Sequence, residues 1–304
     1  MRKYKHLLAA AVILIVVAGF QSCQSAKSAT ATKMLKFNFE KGKGYDYEMI
    51  INMDQNIMGQ AMQMDMSTYY SMDVLEDNGS TKTINSTFDR FKMNMAVGGM
   101  NIEVDSDKPM PEMGDKDEKD NPMKMLNGLL GAVKGKKFSM KVNAEGKVME
   151  VTGFEDMAQS IADSMHLDEK KKQEMMTKFS QQFNEQSIKD QFERVLYIFP
   201  NKEVKVGDSW QKTTAPGGMM GGKYNSTYTV KEIEGDMVTL EEKSTIDGTS
   251  DKMKMSGDIT GTLVVDSKTG LVVNADQEMV LTTNTAGTEI KIKGKTKIKG
   301  KARG

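Results

Sequence analysis

One stretch near the C-terminus alternates with a period of two so regularly that it constrains the fold of the whole chain. Ile290, Ile292, Thr296 and Ile298 fall on one side, and Lys291, Lys293, Lys295, Lys297, Lys299 and Lys301 on the other. Successive strand residues point to opposite faces, so this stretch writes one face of a sheet as buried and the other as wet. The same alternation begins at Met34. Leu35, Phe37 and Phe39 are followed, after Lys41-Gly42-Lys43-Gly44, by Tyr45, Tyr47 and Met49. Met62, Met64 and Met66 run into Tyr70, Met72 and Val74, and the turn at Asp77-Asn78-Gly79 leads back through Ile84, Phe88, Phe91, Met93 and Met95. Met100, Ile102 and Val104 follow Gly98-Gly99. The pattern predicts a mainly β protein of the α+β class, built as a curved antiparallel sheet or open β-barrel.

Two segments depart from period two. Residues 105–121 are charged and broken by proline, which predicts a mobile loop, and Pro122 then opens a short helix over 122–134. Phe138, Met140 and Val142 resume a strand that turns at Glu145-Gly146. From 153 to 199 the apolar spacing becomes three and four: Phe154, Met157, Ile161 and Met165, then Met175, Phe179 and Phe183. A last stripe of Ile188, Phe192, Val195 and Phe199, with Ser187 as cap, ends at Pro200. Strands return over 200–304. Gly207 and Trp210 parallel Gly44 and Tyr45, Ser226-Thr227-Tyr228 parallels Ser67-Thr68-Tyr69, and the hairpin from Thr260 to Val273 parallels that from Lys137 to Val151. Two related β halves (34–152 and 200–304) around a helical insert, within one domain over 34–304, account for these echoes; two hairpins obeying the same turn rules do so as well.

The N-terminus fixes where such a domain works. Arg2, Lys3 and Lys5 precede an apolar run from Leu7 to Phe20, shorter than the ~20 residues that span a bilayer. Residues 1–22 therefore read as a signal peptide. Cys23, the single cysteine, follows Phe20-Gln21-Ser22, which resembles a bacterial lipobox; the resemblance implies lipidation of Cys23, against a secreted protein with a free thiol. Residues 23–33 are small and polar, a tether with a span of roughly 17 Å over ten residues. The lipobox resemblance, with no acidic cluster after the cysteine of the kind some diderm bacteria use for surface export, implies an expected location in the cell envelope of a diderm bacterium, anchored in the outer membrane and facing the periplasm.

Composition narrows the chemistry. When the signal leaves with Arg2, Lys3 and Lys5, 42 basic residues become 39 against 42 acidic, so no charge excess points to nucleic acid. With Cys23 committed to lipid no thiol is left for catalysis, and with His6 removed in the signal only His166 remains, which excludes multi-histidine zinc sites. No metal and no cofactor is expected, and no catalytic residue: the protein reads as a binder rather than an enzyme. Asp115, Asp117 and Asp120 lack the glycine and glutamate of a calcium loop, and His166 reads as a helix-end cation. Trp210 with Tyr224 and Tyr228 suits core packing, or stacking on a sugar.

Methionine stands out, with 28 copies against 11 Phe. Met62, Met64, Met66, Met93, Met95, Met253 and Met255 sit at M-x-M spacing, which puts sulfurs on one strand face. Such a face is an ordinary closed core, or an apolar cavity that repacks around an acyl chain, or a Cu(I) site. Lys291, Lys293, Lys295, Lys297 and Lys299 form a positive strip that could meet an anionic surface, or could guard an exposed sheet edge.

The stretches FSMKVNAEGKVMEVTGF (Phe138 to Phe154) and FPNKEVKVGDSW (Phe199 to Trp210), with the lipobox, resemble a family of bacterial lipoproteins labelled domain of unknown function 6263. The resemblance covers most of residues 34–290 and implies an envelope lipoprotein with no assigned catalytic residues. The order of elements is similar to the LolA and LppX types of lipoprotein carrier by architectural analogy. The expected function is binding of a lipid or acyl chain in a Met-lined space between sheet and helices; a structural lipoprotein that docks an envelope protein is the alternative, and Cu(I) binding a second.

Overall fold

The computed structural model describes residues 31–57, 60–108, 133–153, 185–214, 223–250, 253–285 and 288–304, with isolated positions between 159 and 177. Thr32–Gly304 forms one compact unit, distinct from Met1–Ala31. The signal sequence, Cys23, the tether up to residue 30, the loop from 109, the helix over 122–132, Asp115, Asp117, Asp120 and His166 lie outside the described residues. So does most of the helical stretch from Phe154 to Phe183.

In chain order the elements are β1 (Lys33–Leu35), β2 (Gly44–Ile57), β3 (Gln60–Asp77), β4 (Thr81–Val97), β5 (Met100–Asp105), β6 (Lys137–Asn143), β7 (Val148–Thr152), α1 (Glu185–Leu196), β8 (Lys202–Val204), β9 (Ser209–Thr214), β10 (Lys223–Glu234), β11 (Met237–Ser250), β12 (Met253–Asp266), β13 (Leu271–Thr285) and β14 (Thr288–Arg303). One large sheet runs in the order β7-β6-β4-β3-β2-β14-β13-β12-β11-β10-β9, with β5 alongside the far part of β4. The chain enters at the middle of this sheet, meanders to one edge, crosses by way of α1 to the other edge, and meanders back until β14 pairs with β2.

The sheet is curved and does not close into a barrel. Every neighbouring pair is antiparallel and the path holds an odd number of strands, so edges β7 and β9 run the same way. Helix α1 packs against both edges. It forms because Ile188, Phe192, Val195 and Leu196 recur on one face, all buried, while Glu185 and Lys189 pair across one turn at 2.9 Å. It begins at Glu185, so Ser187 lies inside its first turn and does not cap it.

The core fills one end of the sheet, where Phe192 meets Tyr70 and Phe138 edge-on at 5.4 and 5.6 Å. Expected as a strand of the main sheet, the Leu35-Phe37-Phe39 stretch is extended only through Leu35, and β1 pairs with β8 in a separate ribbon. Its backbone bonds go elsewhere: Asn38 donates its N–H to Thr269 and its side-chain amide to Lys268, both in the β12–β13 turn. Phe39 still reaches the core and stacks on Tyr45 at 3.7 Å.

The sheet order accommodates the repeat. Strands β2, β3, β4, β6 and β7 map onto β9 to β13 by a shift of six places along the path, with β1 onto β8. Gly146 and Gly270 then occupy matching turns. Both have positive φ, and a Cβ would lie 1.9 Å from the Leu196 carbonyl oxygen at Gly146 and 2.4 Å from that of Lys36 at Gly270.

Candidate functional site: the inner wall of the sheet

Strand β2 runs without a bulge from the core into the far half of the sheet, so the face of buried Tyr45 and Tyr47 continues through Ile51 and Met53. Ile51 opposes Met66 and Met53 opposes Met64 on β3. Those methionines oppose Met93 and Met95 on β4, which oppose Val104 and Ile102 on β5. In the other direction Met53 opposes Gly294, which opposes Met279, which opposes Ile259. Met62 shares this face beside Gln55, whose amide lies 3.7 Å from its sulfur.

Five of the seven methionines singled out in the sequence therefore line one wall on adjacent strands. Met255 lies on the same face further along the sheet, opposite Thr283, in a cluster with Ile246, Ile259 and Leu281. Met253 is placed opposite Thr285, and its side chain is outside the described set. Met53 and Met279 belong to the wall and lack M-x-M spacing.

The wall differs from the core in exposure. Met72 and Met140 are fully buried, whereas Met53, Met62, Met64, Met66, Met95 and Met279 are half-buried. The opposite face is polar: Asn52 donates to Asp65 at 2.6 Å, and Lys295 and Lys299 pair with Glu278 and Glu48 at 2.8 and 3.1 Å. A transmembrane barrel requires apolar side chains outside; this sheet puts them inside.

Within the inner wall lies a polar group that period-two reading passes over. Glu242 on β11, Gln277 on β13, and Ser226 and Ser244 are all buried. Ser244 Oγ donates to Glu242 Oε1 at 2.6 Å and lies 2.7 Å from Ser226 Oγ, while Gln277 Nε2 donates to Glu242 Oε2. Gln277 reaches over β12 because the residue between them is Gly261, where a Cβ would stand 2.7 Å from Gln277 Cγ. Burial, and then the Glu242 carboxylate, push the Tyr228 hydroxyl well above its ordinary range. The sequence signal was parity: Glu242 is two residues from Leu240 and four from Ile246, both buried.

Two cations stand at the β9 edge of this wing. Lys212 Nζ lies 3.9 Å above the Tyr197 ring, and burial lowers its pKa. Arg194 of α1 sits 5.4 Å from the centre of Tyr224. Trp210 is buried against Tyr228, with its indole N–H donating to the Ile198 carbonyl at 2.7 Å.

The lysine strip lies on the outer face of β14. That strand is flanked by β13 and β2 on its two sides, which overturns the reading of Lys291, Lys293, Lys295, Lys297 and Lys299 as guards of a sheet edge.

The model of a family of unknown function, DUF6263, matches residues 79–272. The chain belongs to this family. The match takes in β4 through β12 entire, with α1 and Glu242 among them. None of the curated proteins compared with this DUF6263 chain matches it. Among solved structures, lipovitellin, described for its lipid–protein interactions, is similar at 9% identity and a TM-score of 0.49 over 88% of this chain. The chain spans 26% of the length of lipovitellin. The translocator domain of the autotransporter NalP from Neisseria meningitidis is similar at 7% identity and a TM-score of 0.29, covering 97% of this chain and 95% of that one.

Proposed function

We propose that this protein is a non-catalytic binding lipoprotein of the cell envelope, held by lipid on Cys23, that takes an acyl-bearing ligand against its methionine wall. One observation carries the reading: the apolar face of the sheet continues past the packed core as a row of half-buried methionines on β2, β3 and β4. Flexible thioethers repack around apolar ligands of varied shape at little cost. An apolar face of this extent, left half-open on a sheet whose other side is charged, has the character of a binding surface. The anchor would hold that surface within reach of membrane lipid.

The test is extraction of the purified full-length protein with organic solvent and mass spectrometry of what copurifies, alongside displacement of a bound fluorescent fatty acid. Acyl-bearing molecules at near-stoichiometric amounts, lost when Met64 and Met95 become glutamine, are expected. A protein free of lipid that also fails to bind the probe would refute the proposal. Separately, Cys23→Ser is expected to move the protein into the aqueous phase of a detergent partition.

A further inference from the structure

The inner wall is chemically divided along its rows. One row reads Val104, Met93, Met66 and Ile51 on the β5-to-β2 wing, and Gln277, Gly261, Glu242, Tyr228 and Trp210 on the other, with Thr296 between. From Glu242 on β11 to Met66 on β3 is five strand steps, roughly 24 Å along the sheet at the usual interstrand spacing. The apolar and polar ends of this one row match an amphiphile laid across the strands.

The polar end of the row is built around one buried carboxyl group. Glu242 is 5% exposed, and its bonds come from the neutral donors Ser244 and Gln277. Among the described residues no lysine or arginine lies within ion-pair distance of it. The two nearby cations of that wing, Lys212 and Arg194, are each seated over a tyrosine ring. Taking a carboxylate out of water without a counter-charge is costly, and a cationic partner that also donates hydrogen bonds offsets that cost. Among the described residues each carboxylate oxygen accepts one hydrogen bond, which leaves it a further lone pair.

Resting on the binding function proposed above, we infer that Glu242, held by Ser244 and Gln277, is the headgroup subsite of this wall, and that the ligand is an amphiphile with an amine-bearing head. The ammonium donates to Glu242 and the acyl tail runs along the row toward Met66 and Met93. Gly261 is the opening that brings Gln277 to the carboxylate, and the serines fix its orientation.

The experiment titrates the purified full-length protein with dodecylamine, dodecanol and dodecanoic acid at pH 7, reading the fluorescence of Trp210, the single tryptophan, which lies in the same row. Dodecylamine is expected to bind at least about tenfold tighter than dodecanol, the scale of one charge-assisted hydrogen bond, and dodecanoic acid weaker than dodecanol. Glu242→Gln is expected to bring the amine to the affinity of the alcohol. Equal binding of amine and acid, a preference for the acid, or an amine preference that survives Glu242→Gln overturns the headgroup assignment while leaving the apolar wall standing. Failure of all three probes to bind refutes the binding function itself. The order of the three probes on the unaltered protein decides the matter even if the variant fails to fold.

Discussion

The backbone N–H of Val148 donates to the Glu193 carboxylate at 3.0 Å, joining edge strand β7 to helix α1 through a side chain where a neighbouring strand would otherwise stand. Glu185 repeats the device two turns earlier, accepting from Val151 at 3.2 Å. Edge strands expose unpaired donors that invite other chains; here two helix carboxylates occupy them. Glu193→Ala leaves a buried N–H without an acceptor and is expected to cost about 1–3 kcal/mol in chemical denaturation. Glu193→Gln keeps the acceptor and is expected to cost little.

The same pair carries a pH signature. Burial raises the pKa of Glu193 above its ordinary value, with the Val148 hydrogen bond opposing. A carboxylic acid with a raised folded pKa binds its proton more tightly when folded. Its contribution to stability is thus fully present below the unfolded pKa of ~4.3 and is lost as pH rises through the folded value. Glu193→Gln removes that loss. Thermal unfolding of both proteins from pH 4 to pH 8 is expected to show the variant gaining on wild type as pH rises, and a constant difference would contradict the assignment.

Gly146 offers a sharper probe of helix docking. Its φ is +89° and a Cβ would stand 1.9 Å from the Leu196 carbonyl oxygen at the end of α1. Gly207 has a similar φ of +92° and nothing within 4 Å. Gly207→Ala is expected to cost only the strain of a left-handed backbone, about 1–2 kcal/mol. Gly146→Ala adds a main-chain collision and should cost clearly more, because the turn must leave the helix. Equal losses in urea titrations would mean that the hairpin and α1 do not depend on each other.

The strand faces were legible because alternation survives in β2, β3 and β14, where Tyr45, Tyr70 and Ile298 fall on the apolar parity and are buried. The open, curved sheet was legible from the same pattern. Connectivity was not: that β14 closes against β2 and that α1 spans two parallel edges depends on pairings hundreds of residues apart. The first strand was misread because its backbone leaves the sheet pattern after Leu35, with the Asn38 N–H bonded to Thr269 in the β12–β13 turn, while Phe37 and Phe39 stay buried. Glu242 was missed for a related reason. It follows Glu241, which pairs with Lys231 on the outer face, and two adjacent glutamates look alike until a register assigns them to opposite sides.

The lysine strip now has a position from which to argue. Lys295, Lys297 and Lys299 face Glu278, Asp276 and Glu48 at 2.8, 3.5 and 3.1 Å. Exposed pairs of this kind are screened by solvent and contribute little, so the triple glutamine variant is expected to fold with little change in midpoint. Lys291 and Lys293 have no carboxylate within ion-pair distance among the described residues, and they lie toward the strand ends farthest from the core. If the strip meets an anionic surface, these two carry most of the effect. Their replacement by glutamine is expected to weaken retention of the Cys23→Ser protein on anionic vesicles more than replacement of the paired three, as sedimentation at low salt would show.

Two methionines separate core from binding wall. Met72 is fully buried beside Tyr45 in the register, and its truncation to alanine empties packed volume, which costs about 2–5 kcal/mol. Met64 shares the strand and the face but is half-buried, with Met53 and Met95 as its cross-strand neighbours. If the wall is a place for ligand rather than an extension of the core, Met64→Ala leaves the delipidated protein within about 1 kcal/mol of wild type, in the range of partly exposed sites. The same substitution should weaken capture of a fluorescent fatty acid severalfold. Measured together, a small loss of stability with a clear loss of binding at Met64, and the reverse at Met72, is the expected result. A Met64 variant as unstable as the Met72 variant would make the methionine row ordinary core, and the binding function would fall with it.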